Sequence, residues 1–185
     1  LGLAVPYVRT RDLPVTPAQA TLTTYHVLAG GWHGLWLTQA AAGLKPSSDR
    51  GRRAYDRVQG AAMMGGSMLE GWLAFRRAGR SRLEEGPATF LEAAELYGYL
   101  LGLAASDLAG WEREVPNNAS TRGGASLRLA GAAGGLAAGI WLNRRDRYSQ
   151  GDTAIVFLAT ALGGYLPLAA VDACAGAHVH DVVGG

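Results

Sequence analysis

Apolar and small residues run along this chain in long stretches. They are interrupted at Lys45-Pro46-Ser47-Ser48, from Gly79 to Glu85, at Val115-Pro116-Asn117-Asn118, and from Asp146 to Gln150. Ala and Leu dominate the stretches and β-branched residues are sparse, which favours helix over strand. Five helices are predicted, at roughly 17–43, 49–78, 87–112, 119–144 and 151–176. Pro17, Pro87 and Gly151-Asp152 stand where helix N-termini are expected, because Pro fits a first helical turn and Asp complements the helix dipole. A strand over Thr153 to Leu158 is the one local competitor, and Pro167 is predicted to kink or end the last helix.

Within each predicted helix the small residues recur every fourth position, and residues four apart share a helix face. The first helix carries Gly30 and Gly34, the second Ser67 and Gly71, the third Ala94, Gly98, Gly102, Ser106 and Gly110. The fourth carries Gly131, Gly135 and Gly139, and the fifth Ala159 and Gly163. A Gly inside a helix costs about 1 kcal/mol relative to Ala. So many in register are explained by close helix–helix contact, where bare backbones gain dispersion and Cα–H···O contacts. These residues are the candidate packing sites.

The segments also resemble one another. Thr16-Pro17-Ala18-Gln19-Ala20 leading to Gly30, Glu85-Gly86-Pro87-Ala88-Thr89 leading to Gly98, and Gln150-Gly151-Asp152-Thr153-Ala154 leading to Gly163 align, placing the three glycines 68 and 65 residues apart. Glu70-Gly71-Trp72-Leu73 with Arg76-Arg77 likewise matches Ala138-Gly139-Ile140-Trp141-Leu142 with Arg144-Arg145. The reading is an all-α fold in a single domain over 1–185, a degenerate two-helix repeat starting near 16, 86 and 151, with Gly/Ala-lined seams. Both ends of the sequence look like those of a processed product or part of a longer chain.

Composition moves the picture towards a membrane without deciding it. Of 185 residues, 27 are Gly, 49% are hydrophobic and 17% are charged, between a soluble domain and a polytopic membrane protein. Leu13 to Leu44 and Thr153 to Val171 carry no charge and are long enough to span, and Leu129 to Asn143 is a shorter clean run. Glu70, Glu92, Glu95 and Asp107 interrupt the second and third helices. Those helices need a protein-lined or watery face, since a charge at mid-bilayer costs about 2.5–3.5 kcal/mol on insertion scales. Partly embedded helical hairpins therefore fit better than five plain spans.

The net charge of +2 is too small to imply a nucleic-acid partner. Arg clusters in the connections, as solvated or headgroup-facing turns require. The single cysteine, Cys174, excludes an internal disulfide framework.

Candidate chemistry is thin. His178-Val179-His180-Asp181, with Cys174 and Asp172, gathers metal-ligand types, but it lies near a Gly-rich end and lacks a second ligand set. His26 and His33 share a face of the first helix beside Trp32 and Trp36, which suits a packed core or membrane-interface position, with His ligation of a cofactor as the alternative. Glu92 and Glu95 read as a solvated helix face rather than a carboxylate pair. Asn118-Ala119-Ser120 is a glycosylation sequon. Nucleophile-elbow, P-loop and dinucleotide fingerprints are absent.

The run Arg144-Arg145-Asp146-Arg147-Tyr148-Ser149-Gln150-Gly151-Asp152, then a helix with Leu162-Gly163-Gly164, resembles the glycine-zipper helical hairpins of uncharacterised bacterial envelope proteins over about residues 15–175. That resemblance implies self-packing, membrane association and a bacterial membrane or cell-envelope location, and it brings no catalytic residues. The expected function is a non-enzymatic, membrane-associated structural or assembly component without a cofactor, partnered by membrane lipid and by copies of itself or a larger assembly. The alternatives are a soluble α-helical repeat scaffold that builds an array or filament, and a His-ligated cofactor-binding helical protein.

Overall fold

The computed structural model describes residues 15–81, 83–111, 117–145, 148–159 and 162–163. Four long helices carry the fold: α1 (Pro17–Ala42), α2 (Asp49–Ser81), α3 (Glu85–Leu108) and α4 (Asn118–Arg145). A fifth, α5, covers 150–159. No strand occurs among the described residues, and the segment from Thr153 to Leu158 is helical. The fold is all-α, as expected. Pro167, and the part of the last predicted helix beyond 163, lie outside the described residues.

The helix starts follow their local chemistry. Thr16 caps α1: its hydroxyl accepts from the Gln19 N–H while the Gln19 side chain accepts from the Thr16 N–H, and Pro17 occupies the first helical position. Thr16→Ala is expected to lower stability by about 1 kcal/mol, read as a fall in the thermal unfolding midpoint. At the other end Gly43 closes α1 with φ at 76°, a conformation disfavoured for any residue bearing a Cβ. The Leu44 N–H beyond it donates to the Asn118 side chain at 2.8 Å, so the sequon asparagine ties the end of α1 to the start of α4. α3 ends at Leu108 rather than near 112, because Gly110 turns the chain with φ at 77°.

The helices pair as two hairpins. α1 packs along α2 and α3 along α4, while α1 also touches α3 and α4; α2 stands off from the second hairpin. Each hairpin closes on bare backbone. A Cβ on Gly30 would meet the Gly66 carbonyl and one on Gly66 would meet that of Gly30; Gly34 faces the Ala62 carbonyl in the same way. In the second hairpin a Cβ on Gly98 would collide with the Gly131 carbonyl and lie 2.7 Å from the Gly135 Cα. Gly102 abuts the Leu127 carbonyl, and Gly139 lies against Ala94, where an added Cβ would sit 2.7 Å from that of Ala94. Gly71 is filled by Val27.

The seam on α2 runs through Ala62 and Gly66, with Ser67 beside it, where a Cβ on Gly31 would come 3.0 Å from the Ser67 hydroxyl. Gly163 packs on nothing within 4 Å among the described residues.

Because the seams use so much small surface, the buried core is narrow. Its main cluster among the described residues is Ala18, Leu22, Ala74, Ala78, Ala88 and Leu91, at the end of the bundle where α1 starts. The start of α3 is held there too: Asn143 donates to the Pro87 carbonyl at 2.9 Å and the Thr153 hydroxyl to the Gly86 carbonyl at 3.0 Å. Large apolar side chains face outward instead. On α2 alone Met64 is 69% exposed, Met68 73% and Trp72 52%. α4 is the one described helix long and apolar enough to cross a membrane, with 17% of its most apolar stretch buried.

Candidate functional site

The polar residues of the long apolar stretches meet inside the bundle. His26 lies one turn before Gly30 on α1, Glu70 one turn after Gly66 on α2, and Glu95 one turn before Gly98 on α3. The hairpin crossings at these glycines therefore set the level at which the side chains meet. His33, two turns beyond His26, shares its face. His26 and His33 straddle the midpoint of α1, and Glu95 lies beside that of α3.

Together the four residues close a ring. His33 Nδ1 lies 2.8 Å and 3.0 Å from the two Glu70 oxygens, and its Nε2 lies 3.3 Å from Glu95 Oε1. His26 Nδ1 is 3.8 Å from Glu70 Oε2 and 3.6 Å from Glu95 Oε2. Those last two separations are outside hydrogen-bond range. Glu95 is 2% exposed, and its Oε2 accepts no hydrogen bond. A buried carboxylate oxygen in that state carries its full desolvation cost. The Tyr25 ring meets His26 edge-on at 5.3 Å, and Trp36, stacked on Tyr99 at 4.8 Å, lies beside His33.

Two cavities flank the ring. One, of about 760 Å³, fills the gap between α2 and the second hairpin; the ring forms its polar part and Leu22, Leu69, Leu91, Leu136 and Ile140 its apolar walls. Arg77 also lines it. The other, of about 540 Å³, is lined by Tyr25, Trp32, Trp36, Tyr99, Arg128 and part of the ring. Such an arrangement has donors of two kinds, imidazole and carboxylate, converging on one point beside open space. It is equipped to hold a cation or to relay a proton.

Two sequence expectations change here. Glu92 and Glu95 do not form a solvated face: the side of α3 that bears Glu95 packs against α1, and Glu92 also has a buried oxygen without a hydrogen-bond partner. Of the two positions expected for the histidines, packed core or membrane interface, His26 is buried and His33 partly buried, and their carboxylate partners come from other helices, a pairing the sequence reading missed. The available signal was that Glu70 is the only charged residue between Arg57 and Arg76, since a lone ionisable residue in an apolar helix generally points inward. Cys174, His178 and His180 lie outside the described residues. Gly30, Gly34, Gly98, Gly102, Gly131 and Gly135 sit where backbones touch and so build the site, Gly34 also lining the larger cavity. Comparison with known proteins adds no relative: no family model matches the chain, and neither does any curated protein or solved structure.

Proposed function

We propose that this protein is a membrane-associated structural or assembly component, a Gly-packed helical scaffold set in lipid around a buried His–Glu centre. The observation that carries the reading is an inverted distribution of polarity. Met64, Met68, Leu69, Trp72 and Leu73 face outward from α2 while Glu70 of the same stretch turns into the ring. Soluble monomers rarely expose so continuous an apolar face, whereas lipid-embedded bundles place ionisable groups inside.

The dimensions agree. α4, the one described helix both long and apolar enough to cross, has 28 residues. Residues 58–75 of α2 hold one charge and extend about 27 Å at ~1.5 Å per residue, against a hydrocarbon core of ~30 Å. At the far end of this stretch Arg76 lies over the Trp72 ring at 5.1 Å, and on α4 Arg145 lies over Trp141 at 5.6 Å. Amphipathic aromatic rings topped by cations that reach for headgroups suit a membrane interface.

Fractionation of the native source tests the reading. The protein is expected to resist carbonate washing and to be released by detergent. Recovery in the aqueous fraction without detergent would overturn it and favour the soluble repeat scaffold.

A further inference from the structure

We propose that His26, Glu70 and Glu95 bind one divalent first-row transition-metal ion, with His33 as the residue that positions both carboxylates. The inference goes beyond the scaffold reading and stands on the ring's geometry whether or not the bundle sits in lipid.

Three observations carry it. First, one ligand atom from each of His26, Glu70 and Glu95 lies within 4.8 Å of the others, and the separations from His26 Nδ1, 3.6 Å and 3.8 Å, suit an ion better than a proton. Metal–ligand bonds of ~2.1 Å at tetrahedral angles place neighbouring donors about 3.4 Å apart. A contraction of a few tenths of an ångström therefore brings His26 to bonding geometry with each carboxylate, less than a hydrogen bond would need. The two carboxylates, within 4.8 Å of each other, close on the same ion.

Second, Glu95 Oε2 is buried, aims into this gap and has no hydrogen bond. A bound cation supplies the partner that the helices withhold.

Third, His33 spans the carboxylates from the other side. Its Nδ1 contacts both oxygens of Glu70, the nearer being Oε1, and its Nε2 faces Glu95 Oε1, which leaves Glu95 Oε2 toward His26 and puts Glu70 Oε2 between the two imidazoles. Outer residues that hold ligating carboxylates in this way are a regular part of metal sites.

One imidazole and two carboxylates suit Zn²⁺, Fe²⁺, Mn²⁺ or Co²⁺ rather than the all-oxygen surroundings preferred by Ca²⁺ and Mg²⁺. Three protein ligands leave coordination positions open, and His26, Glu70 and Glu95 all line the cavity of about 760 Å³.

The test is a titration of purified, EDTA-stripped full-length chain with Co²⁺, followed by displacement with Zn²⁺. The expected result is one tightly held equivalent with visible d–d bands, and a raised unfolding midpoint as required of a ligand that binds only the folded state. Glu95→Gln, close in shape and checked for unchanged helicity, should lose more affinity than the ~10–100-fold typical of an outer-residue change, the loss expected of His33→Gln. A Cys174→Ser/His178→Ala/His180→Ala variant should bind like the parent. Absence of a bound equivalent in the parent overturns the proposal. So does binding that survives Glu95→Gln but vanishes in the triple variant, since the terminal segment would then be the ligand. The titration reads the same in micelles or in plain buffer, so its outcome and that of the fractionation are independent.

Discussion

Gly98→Leu is expected to open the α3–α4 hairpin and cost the protein most of its cooperative thermal unfolding, while Gly134→Ala on the same seam helix is expected to stabilise it. The contrast follows from what each glycine faces. A Cβ on Gly98 would collide with the Gly131 carbonyl and lie 2.7 Å from the Gly135 Cα, so two backbones must separate. Even Gly98→Ala forces this. Overpacking costs about 1–3 kcal/mol, and the helix propensity gained returns only ~1 kcal/mol. Leucine adds three more carbons at a point with no side chain to displace, and its cost should exceed ~3 kcal/mol.

Gly134, on the open side of α4, meets nothing within 4 Å, so alanine there keeps the propensity gain of up to ~1 kcal/mol. Far-ultraviolet circular dichroism melts of the three variants decide the matter. If Gly98→Ala and Gly134→Ala shift the midpoint in the same direction, the close crossing is not present. Gly30→Ala, in the other hairpin, should add to Gly98→Ala within a few tenths of a kcal/mol, because the two seams share no neighbour.

The helices, and the glycines of the first, third and fourth that meet a facing backbone, were legible in the sequence because both depend on local spacing. By contrast Gly71, Gly110 and Gly163, named from the same spacing, meet the Val27 side chain or nothing within 4 Å among the described residues. Pro17, Pro87 and Gly151-Asp152 mark helix starts whatever the tertiary context, and glycines four apart fall on one face before any partner is known. The finer register on α2 was not legible. Gly65-Gly66-Ser67 offers three adjacent small residues, and only the crossing with Gly30 and Gly34 selects Gly66 over Ser67 as the contact.

The ring was still less accessible. His26 and His33 announce a shared face, but Glu70 and Glu95 enter from helices whose placement depends on the topology of both hairpins. Spacing within α3 alone gave Glu92 and Glu95 the usual solvated role. Amphipathicity gave no guide either, because Glu70 and Glu95 turn inward from helices that also carry exposed apolar side chains such as Met64, Met68 and Leu101. The candidate ligands Cys174, His178 and His180, and the end of the last predicted helix, fall outside the described residues, so those expectations stand as the sequence left them.

Removing a single carboxylate from the ring should be far more damaging than removing the whole ring. Glu95→Ala leaves His26 and His33 facing Glu70 across an unfilled gap at a buried site, and breaking a buried ionic cluster by deleting one partner typically costs about 3–5 kcal/mol. The variant with leucine at all four positions, 26, 33, 70 and 95, should recover most or all of that loss. Apolar side chains of similar volume avoid the desolvation of four polar groups, and the adjoining cavity, walled by Leu22, Leu91 and Leu136, accepts them. Thermal melts of the single and quadruple variants measure the difference. If the quadruple variant melts lower than Glu95→Ala, the ring is a structural device that holds α1, α2 and α3 in register. If it melts as high as the parent or higher, stability does not account for placing two imidazoles and two carboxylates at the centre of the bundle, the outcome expected of groups that serve a bound ion.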